Sequence, residues 1–397
     1  MDIIGVFAAL AAVMVALLST HLIANKLVTV SSSGRFVTID GLRGYLAFFV
    51  FLHHSCIWYY YLQSGNWALP PSRLFVHFGQ VSVALFFMIT GFLFFNKLLE
   101  GRKGGFDWLR LYVSRFLRLM PLYLFFIVIL FIIVWVVTKD GPAQPLEKNL
   151  IGALKWIGFR VFGAPDLNGL LGTRYINAGV TWTLPYEWFF YLFLPVIALV
   201  VGSRPPFQYL CLTVLAIYIF NLYGYSVDFG WLFLGGMGAS ILVRYDRFTT
   251  FAASKLAACI VVGALAFTVM HYPTIYSGSE PRLLLVVAFC LVAGGNNLFG
   301  LLELKVSRAM GEMAYSIYLL HGVLLFVLFK FVFGSVSARQ LTPLQYWAVI
   351  VSIVPVLILF CGLTFRLIEK PAMRSVGGLT DWIRSKKKIH LESENAP

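Results

Sequence analysis

The side chains best suited to chemistry in this chain are charged or titratable groups set inside apolar stretches. Arg43 and His54 come first. Eleven helical steps of about 100° close three turns with ~20° left over, so the two share a face about 16 Å apart along the axis. His53 is rotated about 80° away from Arg43, and the spacing therefore nominates His54 over its neighbour. A neutral imidazole is a base able to take a proton from an alcohol. The plainer alternatives are a histidine bonded to another helix and an arginine snorkelling to headgroups.

Arg115 and Arg118 are three apart and face the same way. Two guanidinium forks there can grip a phosphate or pyrophosphate, or can simply fix orientation in the bilayer. Glu187 lies in an otherwise apolar run, placed to orient a reacting group or to pair with an arginine. Tyr318 and His321 fall on one helical face. Glu369 and Pro371 close the last apolar run and read most simply as a helix stop. Adjacent His53 and His54 diverge on a helix and no other ligand cluster accompanies them, so no metal is expected.

These residues need a scaffold, and composition says which. The chain is 60% hydrophobic and 12% charged, against about 25% charged residues in soluble domains. Its mean hydropathy is +0.84. So much apolar surface needs lipid to cover it, which predicts an all-α, polytopic transmembrane bundle. Apolar runs of spanning length lie at 3–24, 42–62, 80–98, 119–138, 182–201, 207–223, 229–243, 256–272, 282–302, 309–334 and 344–367. That is about eleven spans, of which 207–223 and 229–243 are short. Segment 3–24 lacks the basic flank of a signal peptide and is taken as a membrane helix.

The loop 99–118 carries Arg102, Lys103, Arg110, Arg115 and Arg118. If it is cytoplasmic, alternation puts most of the 31 Lys and Arg residues on that side, among them Lys26, Arg35, Arg43, Arg244, Lys305 and the C-terminal tail. The expected topology is N-terminus out and C-terminus in. The net charge of +14 then serves orientation, anionic lipid and anionic small molecules; no nucleic-acid partner is expected. The tail from 376, with Lys386, Lys387 and Lys388, reads as a short frayed anchor on lipid. Residues 139–181 form a long outer connection, read as a partly ordered cover over the outer mouth or as a passive linker. Cys56, Cys211, Cys259, Cys290 and Cys361 read as small buried hydrophobes. Aromatic residues make up 17% of the chain, which lipid-facing belts explain more cheaply than sugar-stacking platforms.

Taken in order, these elements resemble the acyltransferase 3 family of membrane acyltransferases. The match uses Arg43 and His54, the stretch FFMITGFLF at 86–94, then Arg115, Arg118 and Pro121. It continues with Trp182, Thr183, Leu184 and Glu187, then Ser316, Tyr318, Leu320 and His321, and ends on Glu369 and Pro371. It spans 36–371, leaving 1–35 as an additional N-terminal helix and linker and 372–397 as a basic cytoplasmic tail.

The resemblance implies a ten-helix acyltransferase core and an acetyl-CoA or other short acyl-CoA donor, with Arg43, Arg115 and Arg118 holding its phosphates. It further implies His54 as general base, or as carrier of an acyl-His intermediate, with Glu187 or His321 orienting the ring or stabilising the oxyanion. The acceptor would be a hydroxyl of a lipid-linked or surface carbohydrate such as O-antigen, at a bacterial inner membrane. The competing classes are a transporter or flippase of a glycan or small anionic solute, which would use similar intramembrane charges, and a non-catalytic membrane scaffold.

Overall fold

The computed structural model describes residues 2–28, 36–101, 105–141 and 144–394. Arg35, Arg102 and Lys103, counted above among the inner-face cations, lie outside the described residues. The described chain is all-helical, with no strand beyond an isolated bridge between Leu167 and Leu170. In order, its helices are α1 (Asp2–Leu27), α2 (Val37–Ser64), α3 (Arg73–Gly101), α4 (Trp108–Thr138), α5 (Leu146–Ile157) and α6 (Leu184–Val200). There follow α7 (Phe207–Leu222), α8 (Gly230–Leu242), α9 (Asp246–Ala252), α10 (Lys255–His271), α11 (Glu280–Ala293) and α12 (Lys305–Glu312). The last are α13 (Ala314–Val327), α14 (Ser335–Arg339), α15 (Pro343–Thr364), α16 (Lys370–Arg374) and α17 (Val376–Glu394).

Each of the eleven apolar runs contains a helix, but the described residues do not establish eleven full spans. Six segments are long and apolar enough to cross a bilayer: Gly5–Ala24, Arg73–Gly101, Trp108–Thr138, Val180–Val200, Ala314–Val332 and Pro343–Lys386. α2 is 28 residues long yet falls outside that set, because Arg43, His53, His54 and its tyrosines dilute its hydropathy. α8 and α11, at 13 and 14 residues, reach only about 20 Å at 1.5 Å per residue, against a hydrocarbon core of about 30 Å. α8 also meets α9 across a 110° bend, a broken span or a re-entrant turn.

Two other expectations change, for the tail and for two cysteines, and the 139–181 connection follows the ordered one of its two readings. The tail is helical as α17, tied to the start of α4 by Arg384, whose Nη2 sits 2.7 Å from the Asp107 carboxylate. The 139–181 connection is ordered in its described part, with α5 followed by 3-10 turns at Thr173–Asn177 and Val180–Thr183. Cys211 and Cys259 are exposed on α7 and α10, while Cys56, Cys290 and Cys361 are buried.

Helices without a hydrophobic drive between them pack through small residues that let backbones approach. α2 does so against α12 and the turn before it. A Cβ on Gly41 would lie 1.9 Å from the Leu302 carbonyl oxygen, and one on Gly311 would lie 1.8 Å from that of Asp40. The α3–α8 crossing is equally close, with a Cβ on Gly236 falling 1.9 Å from the Met88 oxygen. Gly311→Ala should therefore destabilise the protein by about 1–3 kcal/mol or more, the cost of overpacking. Gly263→Ala, where a Cβ meets nothing within 4 Å, should leave thermal unfolding in lipid nanodiscs unchanged. Equal melting of the two variants would refute the seam.

Candidate functional site

α2, α4 and α13 run in the same direction and carry the site between them. Arg43, Arg115 and Tyr315 lie near their starts; His54 and His321 lie farther along α2 and α13. The structure brings the two histidines together: His321 Nε2 is 3.0 Å from His54 Nδ1, with the rings 28° apart and stacked. His54 Nδ1 also lies 3.0 Å from the Val50 carbonyl, and His321 Nδ1 lies 2.9 Å from that of Ile317. A carbonyl can only accept, so Nδ1 of each neutral ring carries the hydrogen. His321 Nε2 is then a lone pair facing the His54 N–H. On His54 it is Nε2 that keeps the lone pair.

His53 does something else. Its Nδ1 donates to the Phe75 carbonyl at 2.7 Å, and its ring is pressed on Gly79, where a Cβ would fall 2.5 Å from it. It fastens α2 to α3.

Below the imidazoles lies a cavity of about 370 Å³, a size typical of small-molecule sites. Its wall includes Arg43, Lys97, Arg115, Arg118, Glu187 and Tyr318. Arg115 and Lys97 both sit over the Phe94 ring, at 5.0 and 5.4 Å from its centroid. Glu187 accepts a hydrogen bond from the Tyr191 hydroxyl and feels Arg115, Arg43 and Arg118. The structure thus puts Glu187 with the arginines, not against the imidazoles. Tyr318, bonded to Thr183 at 3.0 Å, closes the cavity one turn short of His321. Neither His54 nor His321 lines it.

Two contributions were missed by reading the sequence. Glu369 is no helix stop: the chain continues through a π turn at Phe365–Glu369 into α16. Its carboxylate is 1% exposed, pairs with Arg118 at 3.1 Å and accepts from the Ser316 hydroxyl. The signal was present in Ser316, Arg118 and Glu369, but their pairing joins residues far apart in sequence. Trp67 was not singled out; its ring stacks on His54 at 6.5 Å and on Tyr175 at 4.7 Å.

Removing one member of a buried pair strands the other charge. Glu369→Gln should cost about 3–5 kcal/mol of stability, whereas Arg118→Met with Glu369→Leu should recover most of it. Unfolding of the single and double variants in nanodiscs checks this; a neutral Glu369→Gln would remove the pair from the account.

No curated protein and no solved structure matches the chain. A family model described as an acyltransferase domain matches residues 36–363, which takes in Arg43, His54, Arg115, Arg118, Glu187 and His321 and stops short of Glu369. With a match over most of its length, and with apolar helices of spanning size around the site, the chain belongs to the acyltransferase 3 family of membrane acyltransferases.

Proposed function

We propose that this membrane acyltransferase moves an acetyl or other short acyl group from acyl-CoA to a hydroxyl of a carbohydrate, a lipid-linked or surface glycan. The observation that carries the reading is the His54–His321 hydrogen bond one turn beyond a cavity walled by four cations. Arg43, Arg115, Arg118 and Lys97 supply the charge that a phosphate-bearing donor calls for, and Arg forks suit phosphate bidentately. Glu369 holds Arg118 in place. With this end of the bundle at the cytoplasm of a bacterial inner membrane, the donor meets the cavity from the side where acyl-CoA is made.

A sugar hydroxyl is too weak an acid to ionise beforehand, so its proton leaves as its oxygen attacks. His54 Nε2 takes that proton while the hydroxyl oxygen bonds to the thioester carbonyl carbon. His54, now a cation, donates from Nδ1 to the lone pair on His321 Nε2, which spreads the charge and holds the ring. As the tetrahedral centre collapses the C–S bond breaks, and His54 returns its proton to the departing thiolate. The acyl ester and the free thiol are the products, and both imidazoles end neutral. His321 is here a positioning residue, and Glu187 organises the arginine cavity.

Radiolabelled acetyl-CoA given to the protein in nanodiscs, with glycan extracted from its host, should leave label on glycan; a transporter leaves none. His54→Ala should lower kcat by about 10²–10⁴-fold, the range for a lost general base. Arg115→Ala should raise KM for acetyl-CoA with a smaller change in kcat, as loss of uniform binding does. Normal transfer by folded His54→Ala would end this assignment.

A further inference from the structure

A second cavity, of about 290 Å³, lies at the other end of the same three helices. On α4 the cavities are marked by Leu119 and Val137, 18 residues and about 27 Å apart at 1.5 Å per residue, close to the thickness of a hydrocarbon core. On α2 and α13 the order is the same: arginine cavity, imidazole, second cavity. Its wall includes Trp58, Tyr61, Tyr175, Phe326, Phe329 and Lys330. We propose that this cavity is a carbohydrate subsite for a sugar ring that carries a negative charge. The proposal rests on the carbohydrate-acceptor reading above and gives that acceptor a seat.

The aromatic residues here are not the lipid belt that composition suggested. Trp58 is 4% and Phe329 0% exposed, and both face inward. Tyr61 and Tyr175 stand 5.8 Å apart, half-buried, offering flat apolar faces with a hydroxyl at the tip. Such rings suit a ligand whose faces are C–H and whose edges are O–H. A lipid tail has no use for those hydroxyls or for a lysine.

The rings also lead inward. Tyr175 stacks on Trp67, and Trp67 stacks on His54. A sugar on the Tyr61–Tyr175 wall is therefore directed towards the base that would deprotonate it. Among the described residues Lys330 is the charged residue in this wall, and no acid lines it. It sits in a π turn, Leu328–Val332, a local widening of the helix that recurs at functional sites. One cation among aromatic rings favours a carboxylate or phosphate on the sugar.

The test uses the full chain in lipid nanodiscs, free of glucoside and maltoside detergents that would compete. Saturation-transfer NMR with methyl glucuronide and methyl glucoside as probes should show transfer to both sugar rings, stronger for the glucuronide. Leu171→Trp fills the mouth from a side chain that is 86% exposed, so folding is spared; it and Tyr175→Ala should abolish the signal. Lys330→Glu should reverse the preference. No transfer to either probe, or transfer untouched by Leu171→Trp and Tyr175→Ala, overturns the subsite; an unchanged preference in Lys330→Glu overturns its selectivity for charge. Binding of acetyl-CoA by the unsubstituted protein, read by isothermal titration calorimetry, reports the arginine end alone. No sugar transfer in a protein that binds acetyl-CoA counts against the subsite only, and sugar transfer in a protein that does not bind acetyl-CoA counts against the acyl-transfer reading only.

Discussion

Everything in this molecule depends on two imidazoles meeting at one depth. A hydrogen bond between His54 and His321 exists only if α2 and α13 hold a fixed register, because a slip of one residue moves a ring by about 1.5 Å and turns it through about 100°. The register is set next door. α12 leads into α13 through Met313, and Gly311 and Gly41 bring backbone against backbone where α2 passes. Direct main-chain contact leaves little freedom to slide, unlike a seam of long side chains. The glycine seam and the imidazole pair are one construction.

Charge placement follows from the same economy. Several cations are drawn to one end of a cavity whose other end is closed by Tyr318 and Thr183. Burying cations together is costly unless something balances them. Glu369 balances Arg118, and Glu187 and Glu312 lie in the same wall. Arg115 rests on the Phe94 face, where the ring quadrupole attracts it.

The helical character, and the family, could be read from the sequence, since apolar runs and short ordered motifs survive without any knowledge of contacts. The span count could not. Hydropathy marks α2, α8 and α11 alike as candidates, but α8 and α11 are short beside a hydrocarbon core, and α2 is less apolar than the six spanning segments although most of it is buried. Helical periodicity separated His54 from His53, a distinction that rests on rotation alone. It had no means of finding the Arg118–Glu369 pair or the His54–Trp67–Tyr175 stack, because each joins segments whose proximity is created by the fold. Glu187 shows the limit most clearly: an arginine neighbour was one of two readings, and only the fold chose between them.

Gly322 follows His321 directly and touches the segment that covers it. A Cβ there would fall 2.2 Å from the Asn177 carbonyl carbon, so α13 and the 173–177 turn meet with no side chain between them. Tyr175, in that turn, is the outermost ring of the stack that ends on His54. The 173–177 turn is therefore in contact with the helix bearing one imidazole and, through the rings of Tyr175 and Trp67, with the other imidazole, so bulk added at Gly322 would disturb both histidines together.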